Sequence, residues 1–274
     1  MKIIDTHAHF DHKQFDADRD ETLSKLPSLG VEFVVNVGSN MESTVASIEL
    51  AKKYPYFHAT VGVHPHYTSS FEQGFPGEYS DDEEANIKAV PASLEKLEEL
   101  AKSEKVVAFG EIGLDFFHNF SPPDVQRTWF KKQLELAVGL ELPVVIHSRD
   151  ANDEVFGIIK NSPARKGVIH SFSGDSELAS RYIELGFLIG IGGVVTFKKA
   201  DVLKEAVKKI PLSRIVVETD CPYLAPTPYR GKRNDSGKLF LIAEEIARLK
   251  GVTLEAVCLE TSKNAISLFS LQKL

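Results

Sequence analysis

The stretch IIDTHAHFDH, residues 3–12, sets two imidazoles one residue apart at the end of an apolar run. Side chains on a β-strand alternate faces, so His7 and His9 would share one space. Alone, the pair reads as two surface histidines near a chain end. Five further residues change that reading, because His64, Glu111, His147, His170 and Asp220 each follow a short apolar run later in the chain. Taken singly, each has a plainer use. A strand-end histidine is ordinarily a hydrogen-bonded rim or core residue, the role expected for His12, His58 and His118; Glu111 would pair with an arginine and Asp220 would start a turn before Pro222. Together, four imidazoles and two carboxylates in one space lack a compensating charge unless they bind one. His7, His9, His147, His170, Glu111 and Asp220 would make six protein ligands. That is too many for one catalytic ion that keeps a position open for water, and suits two ions sharing a carboxylate. Two metals about 3.5–4 Å apart can clamp the attacking and leaving oxygens of a displacement and generate hydroxide near neutral pH. Glu111 is the expected bridge, since its run lies between the His-x-His pair and the later histidines. The expected chemistry is hydrolysis.

Eight apolar runs must position these residues: IIDTH from 3, FVVNVG from 33, ATVGVH from 59, VVAFGEIG from 106, PVVIHS from 143, GVIHSF from 167, FLIGIGG from 187 and IVVETD from 215. Several are β-branched and continuous, the pattern of parallel strands buried on both faces. Between them, residues 92–103 put Leu94, Leu97, Leu100 and Ala101 on one helical stripe, and residues 124–141 do the same with Trp129, Phe130, Leu134 and Ala137. Asp150 and Asp153 ahead of VFGII predict a capped helix start. Strands alternating with helices predict an α/β fold, a (β/α)₈ TIM barrel forming one domain over residues 1–274, with a doubly wound open sheet as the rival. A barrel gathers side chains from the C-terminal ends of several strands into one pocket, where the candidates fall. The open-sheet signal, GxGxxG in the first strand–helix turn, is absent.

The formal net charge of −7 gives the whole chain no attraction for a polyanion, so any nucleic-acid contact must be local. Two cysteines, Cys221 and Cys258, without a CxxC pair argue against a disulfide framework and a zinc knuckle, and fit a reducing, cytoplasmic setting. MKIIDTHAH has no apolar signal region, and the longest apolar and glycine stretch, residues 187–195, is about half a membrane span. A soluble protein without a membrane partner is expected.

DTHAHFD at 5–11, VGVHPH at 61–66, GEIGLDF at 110–116, PVVIHSRDA at 143–151, HSFSG at 170–174, and ETDCPYLAP with RGKRN within 218–234 resemble the TatD family of metal-dependent hydrolases. The resemblance covers nearly the whole chain. It implies an amidohydrolase-like barrel and a divalent-metal nuclease, some members of the family being 3′ to 5′ exonucleases on single-stranded DNA or RNA. Residue by residue, it implies His7, His9, Glu111 and Asp220 on one ion and Glu111, His147 and His170 on a second. His64 resembles a further active-site histidine that stabilises a phosphate oxygen or protonates the leaving oxygen, and Asp220 would also accept a proton from the attacking water. Four imidazoles favour zinc, manganese, cobalt or iron, whereas the family's nuclease activity is usually associated with magnesium.

Around this centre, Arg230, Lys232 and Arg233 are candidate phosphate contacts, with a solvated loop as the plain alternative. Phe116, beside Phe117, is a candidate base-stacking face, with packing of the loop as its alternative. Asp5 and Asp115 are read as supports, Asp115 orienting a histidine ligand. The expected substrate is a single-stranded nucleic-acid end or a short phosphodiester. A second reading is a hydrolase of a small neutral ester, lactone, amide or phosphotriester on the same barrel, and a third is a non-catalytic metal-binding or scaffold protein. The chain departs from the family where RGKRN continues with Asp235 and Ser236 instead of the common Glu-Pro, and at Cys221, read as a small buried residue where alanine is frequent. An acidic connection, residues 69–91 after the third run, carries Glu78, Asp81, Asp82, Glu83 and Glu84 and is read as a partial lid favouring short or end-bound substrates.

Overall fold

The computed structural model describes residues 1–72 and 91–271. The eight apolar runs form β1 (Ile3–Ala8), β2 (Val31–Asn36), β3 (Phe57–Val61), β4 (Val106–Asp115), β5 (Val144–Arg149), β6 (Gly167–Ile169), β7 (Leu188–Ile191) and β8 (Ile215–Val217). Each strand pairs in parallel with the next, in chain order. The sheet then closes: Ala8 and Cys221 form a parallel bridge, His9 N–H donates to the Cys221 carbonyl at 2.8 Å, and Asp220 N–H donates to the His7 carbonyl at 2.9 Å. The predicted TIM barrel is the observed fold, and the open sheet is excluded.

Around it run α1 (Arg19–Lys25), α2 (Met41–Lys53), α3 (Leu94–Ala101), α4 (Pro123–Gly139), α5 (Asn152–Asn161), α6 (Ser176–Glu184), α7 (Asp201–Lys209), α8 (Leu239–Lys250) and α9 (Leu254–Phe269). Local chemistry starts several of them. Asn40, Ser93, Asp175 and Thr253 each accept a backbone N–H of the first turn on their side-chain oxygen, satisfying a donor that has no partner within the helix. The expected cap at Asp150 is not formed. Asp150 takes a left-handed conformation (φ 52°), Ala151 occupies the cap position without a side-chain bond, and α5 starts at Asn152.

Two buried clusters divide the apolar residues. Ile4, Val35, Ala108, Val145, Val168 and Val216 come from six different strands and pack together, which places them in the barrel interior. Ala265, Leu268 and Phe269 of α9 join this cluster and cover the N-terminal end of the barrel. The larger cluster lies between the outer face of the sheet and the helices, with Phe130 and Leu134 of α4 and Leu97 of α3 in it. The helical stripes read from the sequence are therefore packing surfaces, except at Trp129, which lies outside both clusters and stacks on Phe71. The acidic residues Glu78 and Asp81–Glu84, and with them the expected lid, lie outside the described residues. Among the described residues, no helix is long and apolar enough to cross a membrane.

Candidate metal centre

On β1, strict alternation would put Ile4 and Ala8 on one face, yet Ile4 packs in the interior cluster and Ala8 in the outer one. A register shift against β2 between Asp5 and Ala8 accompanies this change of phase. Within and just past it His7 and His9 share one space, their Nε2 atoms 3.1 Å apart. Glu111 comes from the middle of β4 and His147 from β5, while His64, His170 and Asp220 lie just past the ends of β3, β6 and β8. Glycine permits the close approach of β4 and β5, because a Cβ on Gly113 (φ 151°) would sit 1.9 Å from the His147 carbonyl oxygen.

The four expected histidine ligands converge on Glu111. Its Oε2 lies 3.3 Å from His7 Nε2 and 3.9 Å from His9 Nε2. Its Oε1 lies 2.8 Å from His147 Nδ1, 3.7 Å from His64 Nε2 and 3.8 Å from His170 Nε2. Asp220 Oδ1 stands 3.5 Å from His9 Nε2 and 3.8 Å from both His7 Nε2 and His170 Nε2. His7 and His170 stack with ring centroids 3.4 Å apart.

Hydrogen bonds around the rim choose which nitrogen faces inward. His9 Nδ1 is 3.0 Å from the Val37 carbonyl oxygen, which can only accept, so Nδ1 carries a proton and Nε2 is the nitrogen left to face the centre, with a lone pair once the ring is neutral. His170 Nδ1 stands 3.0 Å from Glu218 Oε1 in an ion-pair contact without hydrogen-bond alignment, and its Nε2 faces inward. His64 is the opposite case. Its Nδ1 accepts the His66 backbone N–H at 3.1 Å, so a neutral His64 carries its proton on Nε2 and faces Glu111 as a donor.

The charges respond to this packing. Burial opposes ionisation of Glu111, but His7, His64 and His170 hold it well below the usual carboxylate range. Asp220 is lowered in the same way, against burial, by His170 and by its hydrogen bond with His9. In return, and again against burial, Asp220 and Glu111 raise His9 to about 9, and Glu218, Glu111 and Asp220 raise His170 to about 10. Burial, with the charge of His170, lowers His7; burial, with His66 and His147, lowers His64 well below its usual value. The carboxylates therefore stay ionised by drawing protons onto neighbouring imidazoles. Divalent ions would meet the same demand, and the inward-facing lone pairs of His9 and His170 with two ionised carboxylates form a donor set that fits them.

Two buried carboxylates stand behind the candidate ligands. Asp5, pushed up to about 7 by burial against its hydrogen bonds, accepts Ser236 Oγ at 2.6 Å and the Thr219 backbone N–H at 2.9 Å, tying β1 to the turn that carries Asp220. Ser236, a departure from the family pattern, thus serves this junction. Glu218 went unrecognised in the sequence, although it stands two residues before Asp220. A Cβ on Gly190 would fall 2.4 Å from Glu218 Oε2, so the glycine on β7 makes room for this carboxylate.

The sequence profile of the TatD related DNase family matches residues 4–270. The chain belongs to the TatD family. It is 37% identical over 272 residues to the metal-dependent hydrolase YabD of Bacillus subtilis, covering 97% of this chain and 98% of that protein. It is 33% identical over 285 residues to deoxyribonuclease Tat-D of Schizosaccharomyces pombe, covering 92% of this chain and 88% of that one. Among solved structures, the TatD homolog YjjV of Escherichia coli superposes with a TM-score of 0.85 at 30% identity, over 98% of each chain. This TatD-family protein is a metal-dependent hydrolase.

Beside the TatD centre lies a groove of about 390 Å³, lined by Phe197, Tyr223, Leu224, Arg230, Lys232 and Arg233 among others. Tyr223 links it to the centre, its ring 6.5 Å from that of His9. The basic residues of the loop divide. Arg230 and Lys232 are exposed, with the Arg230 guanidinium 4.5 Å over the Phe197 ring. Arg233 is spent on structure: it forms a two-pronged ion pair with Asp18 at 2.6 and 2.7 Å and donates to the Gln14 carbonyl at 2.7 Å. The phenylalanines divide as well. Phe116 packs half-buried against the outer core with Arg127 over its ring, whereas Phe117 is exposed and carries Arg149 at 4.3 Å. Cys221 is fully buried, and burial pushes its thiol well above the usual range.

Proposed function

We propose that this hydrolase is a two-metal phosphodiesterase that removes nucleotides from the 3′ ends of single-stranded DNA or RNA. The observation that carries the reading is the Glu111 carboxylate, with one oxygen toward His7 and His9 and the other toward His147 and His170. His7, His9, Glu111 and Asp220 would hold one ion, and Glu111, His147 and His170 the other. When bound, the ions would supply the Lewis acidity that makes water a nucleophile near neutral pH and offsets phosphate charge.

The chain's own groups provide the rest. Asp220, ionised and 15% exposed at its side chain, is available to take the proton of the attacking water. His64, neutral with its proton on Nε2, donates to a phosphate oxygen or to the leaving oxygen. Arg230 and Lys232 offer cations, and Tyr223 and Phe197 aromatic faces, to a terminal nucleotide in the adjacent groove. That groove is of small-ligand size, which suits a strand end, and the net charge of −7 disfavours long-range attraction of a duplex. The name of the fission-yeast relative, a deoxyribonuclease, points to the same substrate class. One barrel domain over residues 1–274 would carry the activity, and the two unpaired cysteines suit a reducing cytoplasm.

The test uses end-labelled single-stranded oligonucleotides with free or blocked 3′ ends and magnesium, manganese, cobalt or zinc. Stepwise shortening from free 3′ ends, lost in His147→Ala, is expected. Absence of cleavage with every metal would overturn the proposal. Hydrolysis of neutral esters that survives Arg230→Ala with Lys232→Ala would replace it with the neutral-substrate reading.

A further inference from the structure

Four residues beyond Glu111, Asp115 ends β4 at the centre of a second group of imidazoles. Its Oδ1 accepts the backbone N–H groups of Phe117 at 3.1 Å and His118 at 2.9 Å. Its Oδ2 is approached by three ring nitrogens: His66 Nε2 at 2.9 Å, His118 Nδ1 at 3.1 Å and His147 Nε2 at 3.1 Å. A carboxylate oxygen has two lone pairs, so three ring N–H donors exceed what it can accept. The sequence pointed to a lesser role, with Asp115 supporting one histidine and His118 on the rim.

We propose that His66 Nε2, His118 Nδ1 and Asp115 Oδ2 form a further cation site, separate from the Glu111-centred pair, for a divalent ion of the zinc class. Two imidazoles and one carboxylate, with a position left open, are a donor set zinc takes readily. All three ligand atoms lie within 4.8 Å of one another. Bonds of about 2.0–2.1 Å to a tetrahedral ion put neighbouring ligand atoms roughly 3.3 Å apart. The observed 2.9 and 3.1 Å contacts to Oδ2 need open by only a few tenths of an ångström. An ion there resolves the crowding at Oδ2: His66 and His118 turn lone pairs to the cation, and His147 keeps its hydrogen bond to the carboxylate.

The frame for this site is already built. The two backbone bonds at Oδ1 fix the carboxylate, and Ser121 Oγ donates to the His66 carbonyl at 2.9 Å. The carboxylate is 1% exposed, while His66 and His118 are 20% and 29% exposed at their side chains, which leaves a route from solvent. Through His147, whose Nδ1 faces Glu111 and whose Nε2 faces Asp115, the site borders the proposed active centre without sharing Glu111 or Asp220.

The experiment counts zinc per chain by plasma mass spectrometry after chelator treatment and re-equilibration, in wild type, Glu111→Gln and a His66→Ala/His118→Ala double variant, with circular dichroism as the check on folding. The double variant should carry about one equivalent fewer than wild type, and Glu111→Gln should retain that equivalent. If the double variant does not fold, His118→Asn at the more exposed position replaces it and should weaken the site at least ~10-fold. As a second readout, zinc should slow acylation of His118 by diethyl pyrocarbonate in both wild type and Glu111→Gln. Equal zinc contents with unchanged acylation would overturn the site. A single equivalent in wild type that is lost in the histidine variant and kept in Glu111→Gln would support this site and bring down the paired centre instead.

Discussion

His58 and His170 are buried imidazoles near opposite ends of one barrel, and they titrate in opposite directions. His58, near the start of β3, faces the Phe33 ring edge at 5.4 Å; burial, with the charge of Lys105, pushes it down to about 4. His170, just past β6, is buried as deeply, yet Glu218, Glu111 and Asp220 raise it to about 10. Burial is common to both, so the neighbouring charges make the difference: Lys105 beside His58, three carboxylates beside His170. Burial and a neighbouring cation strip the proton from an imidazole, whereas an array of ionised carboxylates holds positive charge in place. The C-terminal end of the barrel is therefore built to keep a cation, and the N-terminal end is built to pack.

The sharpest way to break this contrast is to remove the central carboxylate charge. Glu111→Gln should lower hydrolysis by roughly 10³-fold, read under single-turnover conditions, and release the protons now held on His9 and His170. If that variant kept wild-type turnover, the carboxylate array would not be the centre of the chemistry. His64→Ala removes a donor and no ligand, so it should cost roughly 10²-fold in turnover while metal content stays unchanged.

Glu218→Gln tests the support behind His170 and should weaken divalent-metal affinity by up to about a hundredfold in calorimetry. In the same instrument, metal binding by the wild type should release protons, because His9 and His170 are raised to about 9 and about 10. Both are protonated at neutral pH without metal, so apparent affinity should rise as pH climbs toward those values.

At the other end the expected effect is smaller. The folded-state value of His58, about 4, lies below its ordinary 6.5, so its contribution to stability is fully present above pH 6.5 and drains away as pH falls toward 4. Between pH 7 and pH 5 that loss is about 2 kcal/mol. His58→Leu should remove this share of the acid sensitivity in urea titrations. An unchanged difference between the two pH values would show that His58 is not the group responsible.

The barrel was legible because eight β-branched runs separated by amphipathic stripes leave few other ways to bury both faces of a parallel sheet. The candidate ligands stood out because their residue types recur at strand ends. Other features resisted reading for physical reasons. Asp150 looked like a helix cap, but its left-handed backbone moves the cap to Ala151. Arg233 looked equivalent to Arg230, but Asp18, 215 residues earlier, claims its guanidinium. Glu218 and His66 gave no signal by themselves, since their meaning depends on which ring nitrogen they face.

By itself the sequence determined the residue types available for chemistry, their order along the chain and the parallel strands that carry them, because burial and periodicity are local properties of the chain. Only the tertiary structure decided that Glu111 stands between two sets of imidazoles, that His64 faces inward as a donor, and that Asp115 gathers a cluster of its own. Those outcomes rest on closure of the barrel and on contacts of about 3 Å between residues tens to hundreds of positions apart, where one rotated ring exchanges a lone pair for a proton.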